Sequence, residues 1–358
     1  MQDEKMSFIG IVGNSTKNMA FYMIKEIFIK AGFSSIYSND NDSIIILKSK
    51  RDKQIGLINI MPKDLKSILN LNLNFNIVVY TNVGQEERID DDILKFFSSL
   101  KNVVVLNIDE SNCINLLKGN DKALVMTYGL NNKATITASS LDIGNSIAFN
   151  YCLQRELLTV FHDKIEPLEF PVKLNLIGKE NIYNSLAAIS VALCFGVDIN
   201  TIRKTLIEIK GLERNMEKIY DNKFMIIDNK CINPIDYNLT FETVQHLKYK
   251  SIILLNGMGI DFGNDNLQKI IDIILNWSSI LGIKNISFYI DKKAELIEED
   301  IRKMFSNTNF SYNVFFSLRD SIGYCLEILN DDDLLLIMGN DILNGTKDIL
   351  LKELNQYG

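Results

Sequence analysis

Short apolar runs and amphipathic stretches alternate along almost the whole chain. The apolar runs predict strands at 8–12, 44–47, 55–60, 76–80, 103–107 and 123–127. Between them, apolar residues recur at helical spacing over 17–31, 62–70 and 91–100, the period of a helix with one covered face. In the first of these, Phe21, Ile24, Ile27, Phe28 and Ala31 share that face. Residues 131–177 are less regular; ATITASSLDIGNSIAFNYCL and FPVKLNLIG predict short antiparallel strands with a loop near Pro167. Residues 181–195 predict a buried helix ended by Gly196, and a shorter one follows at about 199–209. The stretch from Gly211 to Glu217 reads as a hinge. Beyond it the alternation resumes: strands at 224–228, 251–255, 285–290, 312–316 and 334–338, and helices at 238–246, 266–281, 294–305, 320–329 and 346–356. This order predicts an α/β protein with a largely parallel sheet, followed by a second α/β unit.

A length of 358 residues suits two or three domains, each able to bury a core. No apolar run approaches the roughly 20 residues of a membrane span. The start, MQDEKMSF, is polar and unlike a signal peptide, so a cytoplasmic location is expected. The net charge of −7 argues against nucleic acid as main partner, because neutralising phosphates needs a basic face. The five cysteines are far apart and odd in number, which excludes a knuckle-type metal site and a disulfide framework. Cys194 lies in an apolar helix and reads as a core residue. Two isolated histidines, His162 and His246, offer neither a zinc site nor a His-based triad.

The most informative segment is FIGIVGNSTKNMAFYMIKEIFIKAG, residues 8–32. It predicts a strand, a glycine loop and a helix with Lys17 where the helix begins. Such a loop presents backbone N–H groups and a positive helix end to phosphate. The usual pattern has Gly before the lysine and Ser or Thr after it. Here those places hold Thr16 and Asn18. The loop therefore has the form of a phosphate cradle without its Mg²⁺-binding hydroxyl.

Five collinear segments resemble the Mur ligases, most closely the branch adding the third residue of the peptidoglycan stem peptide. GIVGNSTKN resembles the family's GITGTNGKT loop, and IVVYTNV its strand ending in Thr-Asn. VVVLNIDES resembles a later strand ending in Asn-x-Asp, and GKENIYNSLAAISVALCFGV the Asn-rich helix. GLERNMEKI is similar to the hinge before the last domain. FFSLRDSIGYCLEILNDDDLLLIMGND parallels an Arg-containing helix and a strand ending in Gly-Lys-Gly. The resemblance implies a P-loop-type central domain over 1–211 with a mostly parallel sheet, then a smaller Rossmann-like C-terminal domain over 212–358. The family's N-terminal UDP-sugar domain is expected to be absent, because the phosphate loop starts so early.

The resemblance also implies roles. Gly13, Asn14, Ser15, Thr16, Lys17 and Asn18 would form the phosphate loop, with Lys17 at the β- and γ-phosphates. Asn181 and Asn184 lie three apart on one helix face. Asn184 is assigned to adenine, and Asn181 is either a second contact or the helix N-cap. Arg214 stands one place before the family's hinge Arg. Asp228 matches a strand-end Asp that contacts ribose. Lys95 falls where relatives carry a carbamylated lysine, or is an exposed helix lysine. The metal ligands are changed: Asn18 replaces the loop hydroxyl, Asn59 replaces a Glu, and Glu86-Glu87 replace Asp-His. Glu87 is the candidate that restores charge, or else EERIDDD is a solvated acidic helix start. Arg319 is expected either to clamp a substrate carboxylate or to be a plain helix-end charge. The amino-acid signature Asp-Asn-Pro-Arg would fall on DKKA, 291–294, and is missing; the family's specificity for diaminopimelate or lysine is therefore not expected.

Two functions follow from the resemblance. The first is a diverged ATP-dependent acid–amino-acid ligase acting through an acyl phosphate in cell-wall peptide metabolism. ATP would be its nucleotide, Mg²⁺ its metal despite the replaced ligands, and a carboxylate and an amine its substrates. The second is a catalytically inactive Mur-ligase-like protein that binds nucleotide or a partner protein. A dinucleotide-dependent oxidoreductase ranks last, since no GxGxxG with a downstream ribose acid occurs.

Overall fold

The computed structural model describes residues 6–13, 18–39, 43–81, 91–110, 113–130, 133–161, 163–259, 264–290, 295–306, 308 and 310–354. The chain packs as two units, Met1–Ile209 and Lys210–Gly358.

The first unit is built on a ten-stranded sheet. Its centre is parallel: β1 (Met6–Val12) lies between β4 (Gln54–Ile60) and β5 (Phe75–Tyr80), and β6 (Val103–Asn107), β7 (Leu124–Tyr128) and β8 (Ile136–Ile143) continue outward. Antiparallel strands close both flanks. β2 (Phe33–Ser38) and β3 (Ile44–Ser49) extend the β4 side; β9 (Ile147–Leu153) and β12 (Leu168–Leu174) extend the β8 side. A two-stranded ribbon pairs β10 (Leu157–Leu158) with β11 (Lys164–Ile165). On β1, Ile9 and Ile11 alternate with Gly10 and Val12, and all four are buried. A strand apolar on both faces belongs in the middle of a parallel sheet covered on both sides. One cover is α2 (Leu65–Asn70) with α3 (Asp91–Ser99), whose Leu65, Ile93, Phe96 and Phe97 join Val12, Val78 and Val104 in one cluster. Helix α1 (Met19–Lys30) packs on α4 (Glu180–Cys194) and α5 (Ile199–Glu208). Cys194 is fully buried in α4, and burial pushes its thiol up to about 12.

The second unit holds a six-stranded sheet in the order β13-β14-β18-β15-β16-β17. Its strands are β13 (Glu217–Asp221), β14 (Met225–Lys230), β15 (Ile252–Met258), β16 (Asn285–Ile290), β17 (Ser311–Phe315) and β18 (Leu334–Gly339). All pairs are parallel except β13 with β14. The helices α6 (Pro234–Val244), α7 (Asn264–Leu281), α8 (Glu295–Phe305), α9 (Leu318–Glu327) and α10 (Thr346–Leu354) alternate with the strands. The core of this unit includes Ile226, Leu255, Ile322, Leu335 and Ile337. This mixed α/β architecture is the expected fold class.

The stretch read as a hinge is stitched to the second unit. Arg214 and Met216 adopt left-handed backbone conformations, with φ +53° and +45°, which cost free energy for non-glycine residues. Three hydrogen bonds hold the turn. The Arg214 N–H donates to Glu217 Oε2 at 3.0 Å, and Lys230 N–H donates to Arg214 O at 2.7 Å. Met216 N–H donates to Asn229 Oδ1 at 2.9 Å, and Glu217 begins β13. The boundary between the units falls before this turn, at Ile209 and Lys210.

Candidate functional site

In the first unit the chain goes from β1 to β4 on one side, then returns past β1 to β5 on the other. That reversal is a topological switch point, and ligands of open α/β sheets bind beside the carboxyl ends of such strands. The carboxyl ends are tied together by side chains. Thr81, just past β5, donates its N–H and its hydroxyl to Val12 O at 3.0 and 3.2 Å. The Thr81 hydroxyl also accepts from Asn18 Nδ2 at 3.5 Å. Gly13 N–H donates to Ile60 O at the end of β4, 3.2 Å away. Asn18 is the N-cap of α1, its Oδ1 accepting from Ala20 N–H at 3.0 Å and Phe21 N–H at 3.3 Å. The start of α1 thus lies at the ends of β1 and β5.

A second helix start reaches the neighbouring strands. α4 begins at Glu180 with no side-chain cap. Asn181 is therefore inside the first turn and not the N-cap; its Nδ2 donates back to Ile177 O at 2.7 Å. Asn184 Nδ2 donates to Asn181 Oδ1 at 3.3 Å. This relay fixes the orientation of both amides and leaves the Asn184 carbonyl oxygen outside it. Tyr183 donates its hydroxyl to Asp109 Oδ2 at 2.9 Å. Asp109 follows β6 by two residues and also accepts Leu130 N–H at 2.7 Å, just past β7. Burial, then the Asp109 hydrogen bond, raises the Tyr183 phenol. Burial, then the Asp109 charge, raises the Glu110 carboxyl. Both helix starts therefore stand over the carboxyl ends of adjacent parallel strands, α1 over β1 and β5, α4 over β6 and β7.

Asn14, Ser15, Thr16, Lys17, Glu86, Glu87 and residues 291–294 lie outside the described residues. Asn59 is buried at the end of β4. Lys95 is exposed on α3, its ammonium 3.7 Å from Asp92. The described residues do not fit a Mg²⁺ cage. The Asn18 oxygen is committed to the helix cap, Asn59 brings an uncharged amide, and no cluster of three or more His, Cys, Asp or Glu occurs among them. Mg²⁺ favours carboxylate and water oxygens.

In the second unit, Arg214 and Asp228 are bound to each other. Arg214 Nε donates to both Asp228 oxygens, at 3.1 and 3.2 Å. Nη1 donates to Asn340 O at 2.7 Å and Asn344 Oδ1 at 3.2 Å, and Nη2 to Gly339 O at 2.9 Å. Their side chains are 5% and 1% exposed. Arg214 and Asp228, expected at phosphate and ribose, form a buried ion pair here, and the guanidinium also donates to the unit's own carbonyls. Burial outweighs the guanidinium and pushes Asp228 up to about 6. Arg319, on the exposed start of α9, pairs with the chain's own Glu353 at 2.9 Å. Asn233 forms a capping box with Asp236, and Pro234 opens α6.

A family profile described as the Mur ligase middle domain matches residues 61–192. The UDP-N-acetylmuramoyl-L-alanyl-D-glutamate–2,6-diaminopimelate ligase of Caldanaerobacter subterraneus subsp. tengcongensis is 23% identical over 94% of this chain and 73% of its own length. Residues 61–192 match the Mur ligase family, and the chain is similar to these ligases over most of its length. A second such ligase, of Clostridium acetobutylicum, is 29% identical over 74% of this chain, and the match spans 54% of that relative. The MurF ligase of Thermotoga maritima in complex with ADP has the same fold, with a TM-score of 0.66 over 98% of this chain and 81% of that one, at 12% identity.

Reading the Mur-ligase motifs alone missed Asp109's partners and the Arg214 hub. VVVLNIDES pointed to Asp109, but Tyr183 lies 74 residues away and no spacing rule links them. The hub joins Arg214 to Asn340, 126 residues apart.

Proposed function

We propose that this Mur-ligase-like chain is an ATP-dependent ligase that joins a carboxylate substrate to an amine in cell-wall peptide metabolism. The observation that carries the reading is the convergence of two helix starts over the ends of adjacent parallel strands. A nucleotide needs both a phosphate cradle and a base contact, and this arrangement offers one of each from a single unit. In this reading Lys17 neutralises phosphate charge, and Asn184, oriented by Asn181, meets the base. Transfer of the γ-phosphoryl group to the carboxylate gives an acyl phosphate and ADP. The amine then attacks the acyl carbon, the C–N bond forms, phosphate leaves and the nitrogen loses a proton. Positioning and charge neutralisation carry most of such catalysis.

A second reading, a nucleotide-binding protein without ligase activity, is favoured by two observations. Asn18 uses its oxygen as a helix cap, and Arg214 and Asp228 are sealed against each other. ADP and phosphate release with ATP, Mg²⁺ and a panel of muramoyl-peptide acids and amino acids separates the two. Stoichiometric ADP, phosphate and amide supports the ligase. ATP binding without ADP release across the panel rejects it in favour of the second reading.

A further inference from the structure

The first turn of α4 has an unusual support. It lacks a side-chain N-cap, so its orientation depends on contacts made outside the helix. Asp109 supplies one of them. Its Oδ2 accepts the Tyr183 hydroxyl at 2.9 Å and Leu130 N–H at 2.7 Å, so one carboxylate joins the ends of β6 and β7 to α4. Asp109 is itself held, its N–H donating to Asn107 Oδ1 at 3.1 Å. Gly129 makes room for it: a Cβ there would lie 2.9 Å from Asp109 Oδ1. Tyr183 is the residue before Asn184, and nothing in the proposed chemistry uses its hydroxyl.

We propose that Tyr183 is a positioning residue: clasped to Asp109, it fixes the first turn of α4 and so aims Asn184 at a nucleotide base. The proposal rests on the nucleotide-binding reading of this site. It is tested on the full chain by two readouts, amide hydrogen exchange and binding of ADP against inorganic tripolyphosphate, which lacks a base. Tyr183→Phe removes the hydroxyl and keeps the ring. It is expected to speed exchange at residues 181–184 and to weaken ADP about five-fold, the scale of one ordinary hydrogen bond. Tripolyphosphate affinity is expected to stay within two-fold, a selectivity that general loosening of the fold does not produce. Asp109→Asn, which keeps an acceptor oxygen, is expected to hold ADP affinity within two-fold. Asp109→Ala is expected to behave like Tyr183→Phe and also to release Leu130 to exchange. Unchanged exchange at 181–184 in Tyr183→Phe overturns the clasp. Faster exchange with unchanged ADP affinity, or equal loss for ADP and tripolyphosphate, overturns the positioning role. If the wild-type chain binds no ADP while exchange responds as expected, the nucleotide reading falls and the positioning role with it, whereas the clasp stands.

Discussion

Replacing Arg214 by Met tests the hub of the second unit. The substitution keeps much of the side-chain volume but leaves the Asp228 carboxylate buried without its cation. It also strips donors from Gly339 O, Asn340 O and Asn344 Oδ1. Breaking a buried ion pair from one side costs about 3–5 kcal/mol. At a urea dependence of about 2 kcal/mol per molar, that lowers the midpoint by about 2 M. Trp277, the chain's single tryptophan, reports this unit alone. Its indole stacks on Phe241 at 5.9 Å and donates to Asn238 Oδ1 at 3.0 Å, so its fluorescence follows local unfolding. The cost also depends on pH. Asp228 has a folded pKa of about 6 against an ordinary 3.8, so the folded state holds the proton more tightly than the unfolded chain. Its favourable contribution is complete below about 4 and is lost as pH rises through about 6, worth about 3 kcal/mol in all. Without Arg214 the carboxyl escapes by protonation, so Arg214→Met is expected to cost less at pH 5.5 than at pH 7.5. Asp228→Asn is expected to flatten the wild-type pH slope and to cost less than Arg214→Met at pH 7.5. A change below about 1 kcal/mol for Arg214→Met at pH 7.5, or equal costs at both pH values, is incompatible with a buried Arg214–Asp228 ion pair.

Asn18→Ala removes the α1 cap and is expected to destabilise the first unit by about 1 kcal/mol in thermal melts followed by circular dichroism. Asn18→Thr keeps a capping oxygen and restores a hydroxyl, so ATP affinity is expected to depend more on Mg²⁺ than in the wild type; calorimetry at fixed and zero Mg²⁺ measures it. A Cβ at Gly257 would lie 2.4 Å from Leu343 Cγ, so Gly257→Ala is expected to lower the Trp277 urea midpoint by an overpacking cost of about 1–3 kcal/mol.

The parallel cores were legible because strands covered on both faces are apolar at consecutive positions. VVVLN and LLLIMG are cases, and each lies close to its expected bounds. The β2 segment, FSSIYS, was not read as a strand: at the sheet edge five of its six residues are exposed, so no face imposes an apolar alternation. β13, which begins where the stretch read as a hinge ends, was not read as a strand because its pairing follows a left-handed turn that composition does not reveal. α6 starts four residues before its expected position, since the Asn233 cap and Pro234 at the first helical place act before the apolar period begins. At the site, the two helix starts were legible as glycine loop and Asn-rich helix. The Arg214–Asp228 pair was not: a strand-end acid has the same local sequence whether it faces a ligand or a buried guanidinium.

In the proposed ligase the loop around Lys17 and the helix bearing Asn184 hold one nucleotide between them. Calorimetric titration of ATP into the wild-type chain, Lys17→Ala and Asn184→Ala tests it most directly. Saturable one-to-one binding that both substitutions weaken at least ten-fold, about 1.4 kcal/mol each, is the predicted result. No heat in the wild type, or affinity indifferent to both substitutions, rules out a shared nucleotide site.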